Sequence, residues 1–151
     1  MIDCDLHHPL LHQLFGLSNE PGLTTMMLDD EALAQPPLQA TAIKGLSLLA
    51  SGALPPRPAD LLGSKRMEIV LNKLLESADL LLLDAPPVMT VTDAVVLATK
   101  VDAGLWVTSA GATKREHAQG AIERLKKVNA QIVGSVLNNV AVEASLQDYY
   151  R

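Results

Sequence analysis

Four leucines in a row, Leu80 to Leu83, run into a lone aspartate and then a pair of prolines. An apolar run with no polar alternation predicts a strand buried on both faces. Pro86 and Pro87 cannot continue a helix or a central strand, so Asp84 is expected at the carboxyl end of that strand. Before it, Ser64 is placed to cap a helix whose Met67, Val70, Leu71, Leu74 and Leu75 form one apolar stripe. After it, Thr92-Asp93 opens a helix to about Lys100, and Gly104 to Thr108 reads as a strand. Thr113 with Glu116 matches a capping box for a helix carrying Ala118, Ala121, Ile122, Leu125 and Val128, and Ile132 to Asn138 is the last strand.

The first third is less regular. Met1 to Asp5 reads as the end of a strand, with only two residues ahead of Asp3. Pro9 opens a helix through Leu10, Leu11, Leu14 and Phe15 that stops at Gly16. Residues 16–22 have turn chemistry, residues 23–34 hold a short helix around Met26, and Ile43 to Ala50 is a short strand. Residues 51–58 are expected to be a Pro-rich surface loop. Strands alternating with helices of ten to fifteen residues predict βαβ units, hence an α/β fold with a mainly parallel sheet flanked by helices.

Composition narrows the picture. With 151 residues the chain has the length of one domain, and 48% hydrophobic residues against 3% aromatic call for an aliphatic core. A net charge of −5, with no cationic run longer than two residues, argues against nucleic acid as a partner. The lone Cys4 cannot form an intrachain disulfide, and no apolar run approaches the ~20 residues of a membrane span, so a cytoplasmic protein is expected.

The chemistry is carboxylate chemistry. Asp3, Asp5 and Asp84 all fall at strand ends, and parallel strands bring their carboxyl ends to one edge, where ligands bind in open α/β sheets. Hard oxygen ligands suit magnesium held by one or two carboxylates with substrate phosphates, and a third carboxylate nearby can act as a general base. A competing reading of the same stretch is a zinc site built from Cys4, His7, His8 and His12, with His8 and His12 one helical turn apart.

The segments Ile2 to Pro9, Leu11 to Leu23, Ser51 to Ser64, Leu83 to Val88, Val91 to Ala94 and Val136 to Asn138 resemble, in this order, the P-loop ATPase domain of the bacterial tyrosine kinases (BY-kinases) of capsule and exopolysaccharide biosynthesis. The resemblance implies a protein-tyrosine autokinase using ATP and Mg2+. Asp3 would be the base toward a tyrosine hydroxyl, Asp5 and Asp84 the magnesium ligands, and Asn138 the residue approaching adenine. Tyr149 and Tyr150 would be a short version of the family's phosphorylated C-terminal cluster. It also implies a membrane-anchored polysaccharide co-polymerase as partner, a homo-oligomer, and a location at the inner face of the membrane.

The departures shape the expectation as much as the matches. The family's Gly-rich loop ending in Gly-Lys-Ser/Thr cradles the phosphates with backbone N–H groups, and no G-x-x-x-x-G-K-[ST] occurs in these 151 residues. His7 and His8 stand where the family commonly has two arginines. The expected organisation is a partial, P-loop NTPase-like domain over residues 1–140, incomplete at its N-terminus, followed by a flexible tail over 141–151. Such a chain is expected to be weak or inactive as a kinase on its own. The alternative is a non-catalytic interaction module in polysaccharide chain-length control or export.

Overall fold

The computed structural model of the chain describes residues 1–141 and divides into two compact units, residues 1–97 and residues 98 onward. Tyr149 and Tyr150 lie outside the described residues.

In the first unit, β1 (Ile2–Asp3) is the central strand. On one side it pairs in parallel with β4 (Leu83–Asp84), in the register Ile2↔Leu83 and Asp3↔Asp84. On the other side it meets Leu49, in parallel, next to β3 (Ser47–Leu48). β3 in turn pairs antiparallel with β2 (Gln39–Ala40), a two-residue strand too short to leave a pattern in the sequence. Ile2, Cys4, Leu6 and Leu49 are buried, and α2 (Leu23–Leu28) and α5 (Lys65–Leu75) contribute Met26, Met67, Val70 and Leu74 to the same aliphatic core. Burying four such side chains provides on the order of 6–12 kcal/mol of gross hydrophobic stabilisation, most of it offset by chain entropy.

The local signals explain most boundaries. α1 (Leu11–Phe15) ends at Gly16 in the left-handed conformation, φ +64°. The expected helix over 23–34 is two helices, α2 and α3 (Asp30–Ala34), because Asp29 turns extended and its carboxylate accepts from the Glu31 N–H. Ser64 caps α5, its hydroxyl accepting from the Met67 N–H at 3.3 Å. The Pro-rich stretch is a loop only as far as Arg57: Pro58 occupies the first turn of α4 (Pro58–Gly63), the helix position that tolerates a missing N–H. α6 (Asp93–Leu97) stops three residues before the expected end.

The Leu80–Leu83 run differs from expectation. It is a one-faced edge and not a strand covered on both sides. Leu81 and Leu83 pack against the core, whereas Leu80 is 70% and Leu82 52% exposed. The periodicity is the ordinary alternation of an edge strand, hidden in the sequence because both faces carry leucine.

The second unit is a parallel pair, β5 (Gly104–Ser109) and β6 (Ile132–Asn138), joined by α7 (Arg115–Lys127) in a βαβ connection. Its strands match the expected bounds closely. The Thr113–Glu116 capping box does not form: Lys114 is the N-cap, and the Thr113 hydroxyl instead accepts from the Ser109 N–H at 3.0 Å, closing the turn after β5.

Candidate active site

The carboxyl ends of β1 and β4 place Asp3 beside Asp84 as cross-strand neighbours, and the turn after β1 carries Asp5 and His7. Asp3 is fully buried. Its Oδ1 accepts the Asp5 N–H at 3.3 Å and its Oδ2 the Leu11 N–H at 3.1 Å, so this carboxylate ties β1 to the first residue of α1. Asp5 works the same way one step on, with Oδ1 accepting from the His7 and His8 N–H groups at 3.1 and 2.9 Å. The second oxygen of Asp5 has no such partner. Asp84 is exposed at its strand end; its backbone carbonyl accepts from the Cys4 N–H at 2.8 Å, and its carboxylate takes no hydrogen bond among the described residues.

The electrostatics follow from this crowding. Burial holds the Asp3 carboxyl above the ordinary range against the two amide hydrogen bonds, which pull the other way, and the charges of Asp84 and Asp5 add to the rise. Asp84 is also raised, first by lost hydration of its carboxyl and then by Asp5. Among the described residues no Lys or Arg pairs with any of the three. The strand ends therefore form an acidic edge without a protein cation to balance it.

His7 pairs with a residue of α6. Its Nε2 lies 3.1 Å from Oδ2 of the buried Asp93, the first residue of α6. That contact fastens the turn after β1 to α6, and sequence reasoning missed it because the partners are 86 residues apart. The zinc reading is overturned. Cys4 is buried in the core with its thiol pushed up by burial, His8 precedes α1 instead of sharing a helical face with His12, and no three or more His, Cys, Asp or Glu side chains among the described residues gather around one metal position.

A second loop is fixed nearby. The Asn19 side-chain amide donates to the Gly52 carbonyl at 2.8 Å, and the Ser51 hydroxyl donates to Asn19 Oδ1 at 3.0 Å. Gly52 has φ +79°, and a side chain there would collide with the Thr24 hydroxyl. Asn138 ends β6 in the second unit, exposed, its Oδ1 accepting from the Asn139 N–H at 2.8 Å.

Comparison with known proteins gives these features a context. No protein-family model matches the chain. It is 36% identical to the tyrosine-protein kinase YwqD of Bacillus subtilis over 138 residues, which are 91% of this chain and 58% of YwqD. The kinase domain of the Escherichia coli tyrosine kinase ETK superposes with a TM-score of 0.86 at 32% identity, over 95% of this chain and 56% of that structure. The chimerical protein CapA2B2 gives 0.87 at 28% identity, over 93% of this chain and 62% of its own. The chain thus spans a little under three fifths of YwqD. The parallel strands with flanking helices are those of the P-loop kinase-domain structures, and over nearly its whole length this chain is a homologue of the bacterial tyrosine kinase (BY-kinase) kinase domain.

Proposed function

We propose that this chain carries the magnesium-binding half of a protein-tyrosine autokinase site of capsule or exopolysaccharide biosynthesis. The observation that carries the reading is the acidic edge: Asp3 and Asp84 at adjoining parallel strand ends with Asp5 in the turn after β1, two of the three held above their usual range and none paired with Lys or Arg among the described residues. Asp84 and the second oxygen of Asp5 are the free hard donors that magnesium takes, directly or through its waters. Bound there, the ion would neutralise charge on the β- and γ-phosphates of ATP. Asp3 is the base toward the tyrosine hydroxyl in this reading. Its raised proton affinity suits that task, and each of its oxygens keeps a second lone pair beside the amide hydrogen bond. Asn138, at the end of β6, is the adenine-side residue, and Tyr149 and Tyr150 are the acceptor tyrosines.

The same residues set the limit of the activity. Phosphoryl transfer needs donors around the phosphates, and these 151 residues contain no Gly-rich loop ending in Gly-Lys-Ser/Thr. The chain by itself is therefore expected not to autophosphorylate. Incubation with Mg-ATP followed by phosphotyrosine detection decides it, and robust labelling of Tyr149 or Tyr150 refutes the expectation.

The missing loop also favours a second reading, a non-catalytic module docking on a membrane-anchored polysaccharide co-polymerase at the inner face of the membrane. No helix among the described residues is long and apolar enough to cross a membrane. A thermal shift with Mg-ADP separates the two, because a ligand stabilises only a state that binds it. A rise in melting temperature that Asp84→Asn abolishes supports the kinase half-site, and no rise supports the docking module.

A further inference from the structure

The carboxyl ends of β5 and β6 are tied together in a way that fixes one side chain. Asn138 ends β6, and its backbone carbonyl accepts the Ala110 N–H at 2.8 Å. Asn139, the next residue, has φ +56°, in the left-handed region that asparagine tolerates and most side chains avoid. Its side-chain amide reaches back across the pair and donates to the Ser109 hydroxyl at 2.9 Å. Ser109 ends β5, and its own N–H donates to the Thr113 hydroxyl at 3.0 Å. With the turn held in this way, the Asn139 N–H donates to the Asn138 carboxamide at 2.8 Å. A backbone N–H can only donate, so the carboxamide atom facing it has to be the oxygen. The Asn138 side chain therefore has one orientation. Its amino group is exposed and has no hydrogen bond among the described residues.

We propose that Asn139 and Ser109 are positioning residues that lock the Asn138 carboxamide, and that this lock makes the site prefer a 6-aminopurine to a 6-oxopurine. The inference rests on the reading of Asn138 as the adenine-side residue and adds what sets its selectivity. A carboxamide offers a base an acceptor and a donor side by side, and adenine answers with its amino group and a ring nitrogen. A 6-oxopurine presents an acceptor where adenine presents the amino group. A freely turning amide meets that acceptor by rotating its own amino group toward it. The locked one cannot, because rotation would bring the Asn138 amino group against the Asn139 N–H, donor against donor. The oxygen then stays opposite the 6-position and opposes an oxo group there. A side chain held in its binding orientation before the ligand arrives also avoids the cost of ordering it. Selectivity is thus placed in two residues that need not touch the base.

The test uses the full chain, labelled with 15N, and two probes, AMP and IMP, titrated into the millimolar range. Relaxation of the Asn138 side-chain amide reads the lock without ligand. It is expected to be as ordered as the backbone in the unsubstituted chain, mobile in Ser109→Ala and Asn139→Ala, and ordered again in Ser109→Thr, which keeps the hydroxyl. Shifts of the same amide signals read binding. AMP is expected to bind roughly tenfold more tightly than IMP, the factor for one lost hydrogen bond of about 1.4 kcal/mol. In Ser109→Ala and Asn139→Ala the ratio should fall to about threefold or less, and Ser109→Thr should keep it, an effect that a general loss of stability does not produce. The proposal is overturned if the Asn138 amide is mobile in the unsubstituted chain, or if the ratio is unchanged in both alanine variants. Equal binding of AMP and IMP by the unsubstituted chain overturns it while leaving Asn138 at the base. An ordered amide that neither nucleotide shifts removes Asn138 from the base, and the proposal falls with that reading.

Discussion

Asp84→Asn separates a carboxylate that serves the fold from one that burdens it. The change is nearly isosteric, and Asp84 gives up no hydrogen bond among the described residues. What it removes is a negative charge in register with Asp3 on the adjoining strand and near Asp5. Neighbouring strands lie about 4.8 Å apart, so two unit charges repel by roughly 3 kcal/mol at an effective dielectric of about 20 and by under 1 kcal/mol in water. Asp84 is exposed, so solvent screening brings the working figure down to about 1 kcal/mol. The substituted protein should therefore be more stable at neutral pH, by roughly 4 °C in melting temperature for a unit of this size. The pH dependence fixes the cause. A carboxyl held above its ordinary range binds its proton more tightly in the folded state, so its contribution is fully present in acid and is lost as pH rises through the folded-state value. The advantage of Asp84→Asn should vanish below about pH 4 and grow toward neutrality. Magnesium should reverse the order: at tenfold over its dissociation constant it adds about 1.4 kcal/mol to the unsubstituted chain and little to the variant. Thermal melts followed by far-ultraviolet circular dichroism, with and without MgCl2, read all three effects. An Asp84→Asn protein that is less stable at neutral pH, or equally responsive to magnesium, would refute the reasoning.

Other substitutions test the scaffold. Arg66 donates to the Met26 carbonyl at 3.2 and 3.0 Å, to the Asp29 carbonyl at 3.1 Å and to Asp30 at 2.6 Å, so it closes the end of α2. Arg66→Ala should cost about 2 kcal/mol in urea unfolding, and lysine, lacking the planar fork, should restore only part of it. Gly52→Ala should lower stability by about 1–3 kcal/mol, because it forces a side chain into a positive-φ position against Thr24. An unchanged melting temperature would contradict that. Ser64→Ala removes the α5 cap and should cost about 1 kcal/mol by the same assay.

The elements legible in the sequence are those with a pattern longer than one turn. The α5 stripe and the α7 helix carry a helical period, β5 and β6 are largely apolar stretches longer than four residues, and all four appear where expected. β2 is two residues long and has no period to read. The leucine run misled for a specific reason: leucine on both faces reads as burial on both, yet only Leu81 and Leu83 find the core. Within the site, strand-end logic brought Asp3 and Asp84 together, because a parallel register aligns carboxyl ends. The His7–Asp93 contact was out of reach, since it depends on how the turn after β1 meets α6. The zinc reading failed because spacing along the chain does not reveal that Cys4 points into the core.

Asp3 and Asp84 are register partners, yet their positions argue for different pressures. Asp3 is buried and holds two backbone N–H groups, one of them at the first residue of α1. Asparagine could accept only one of those bonds, and its amide would face the other donor, so a carboxylate here is explained by the fold alone. Asp84 has no comparable bond, and burial and Asp5 both disfavour its charge. A polar strand end that served only the fold would be better filled by an uncharged side chain. That cost is relieved by a cation at the carboxyl end of β4, so Asp84→Asn should remove the response to magnesium in the thermal melts, and a response that survives the substitution would place the ion elsewhere.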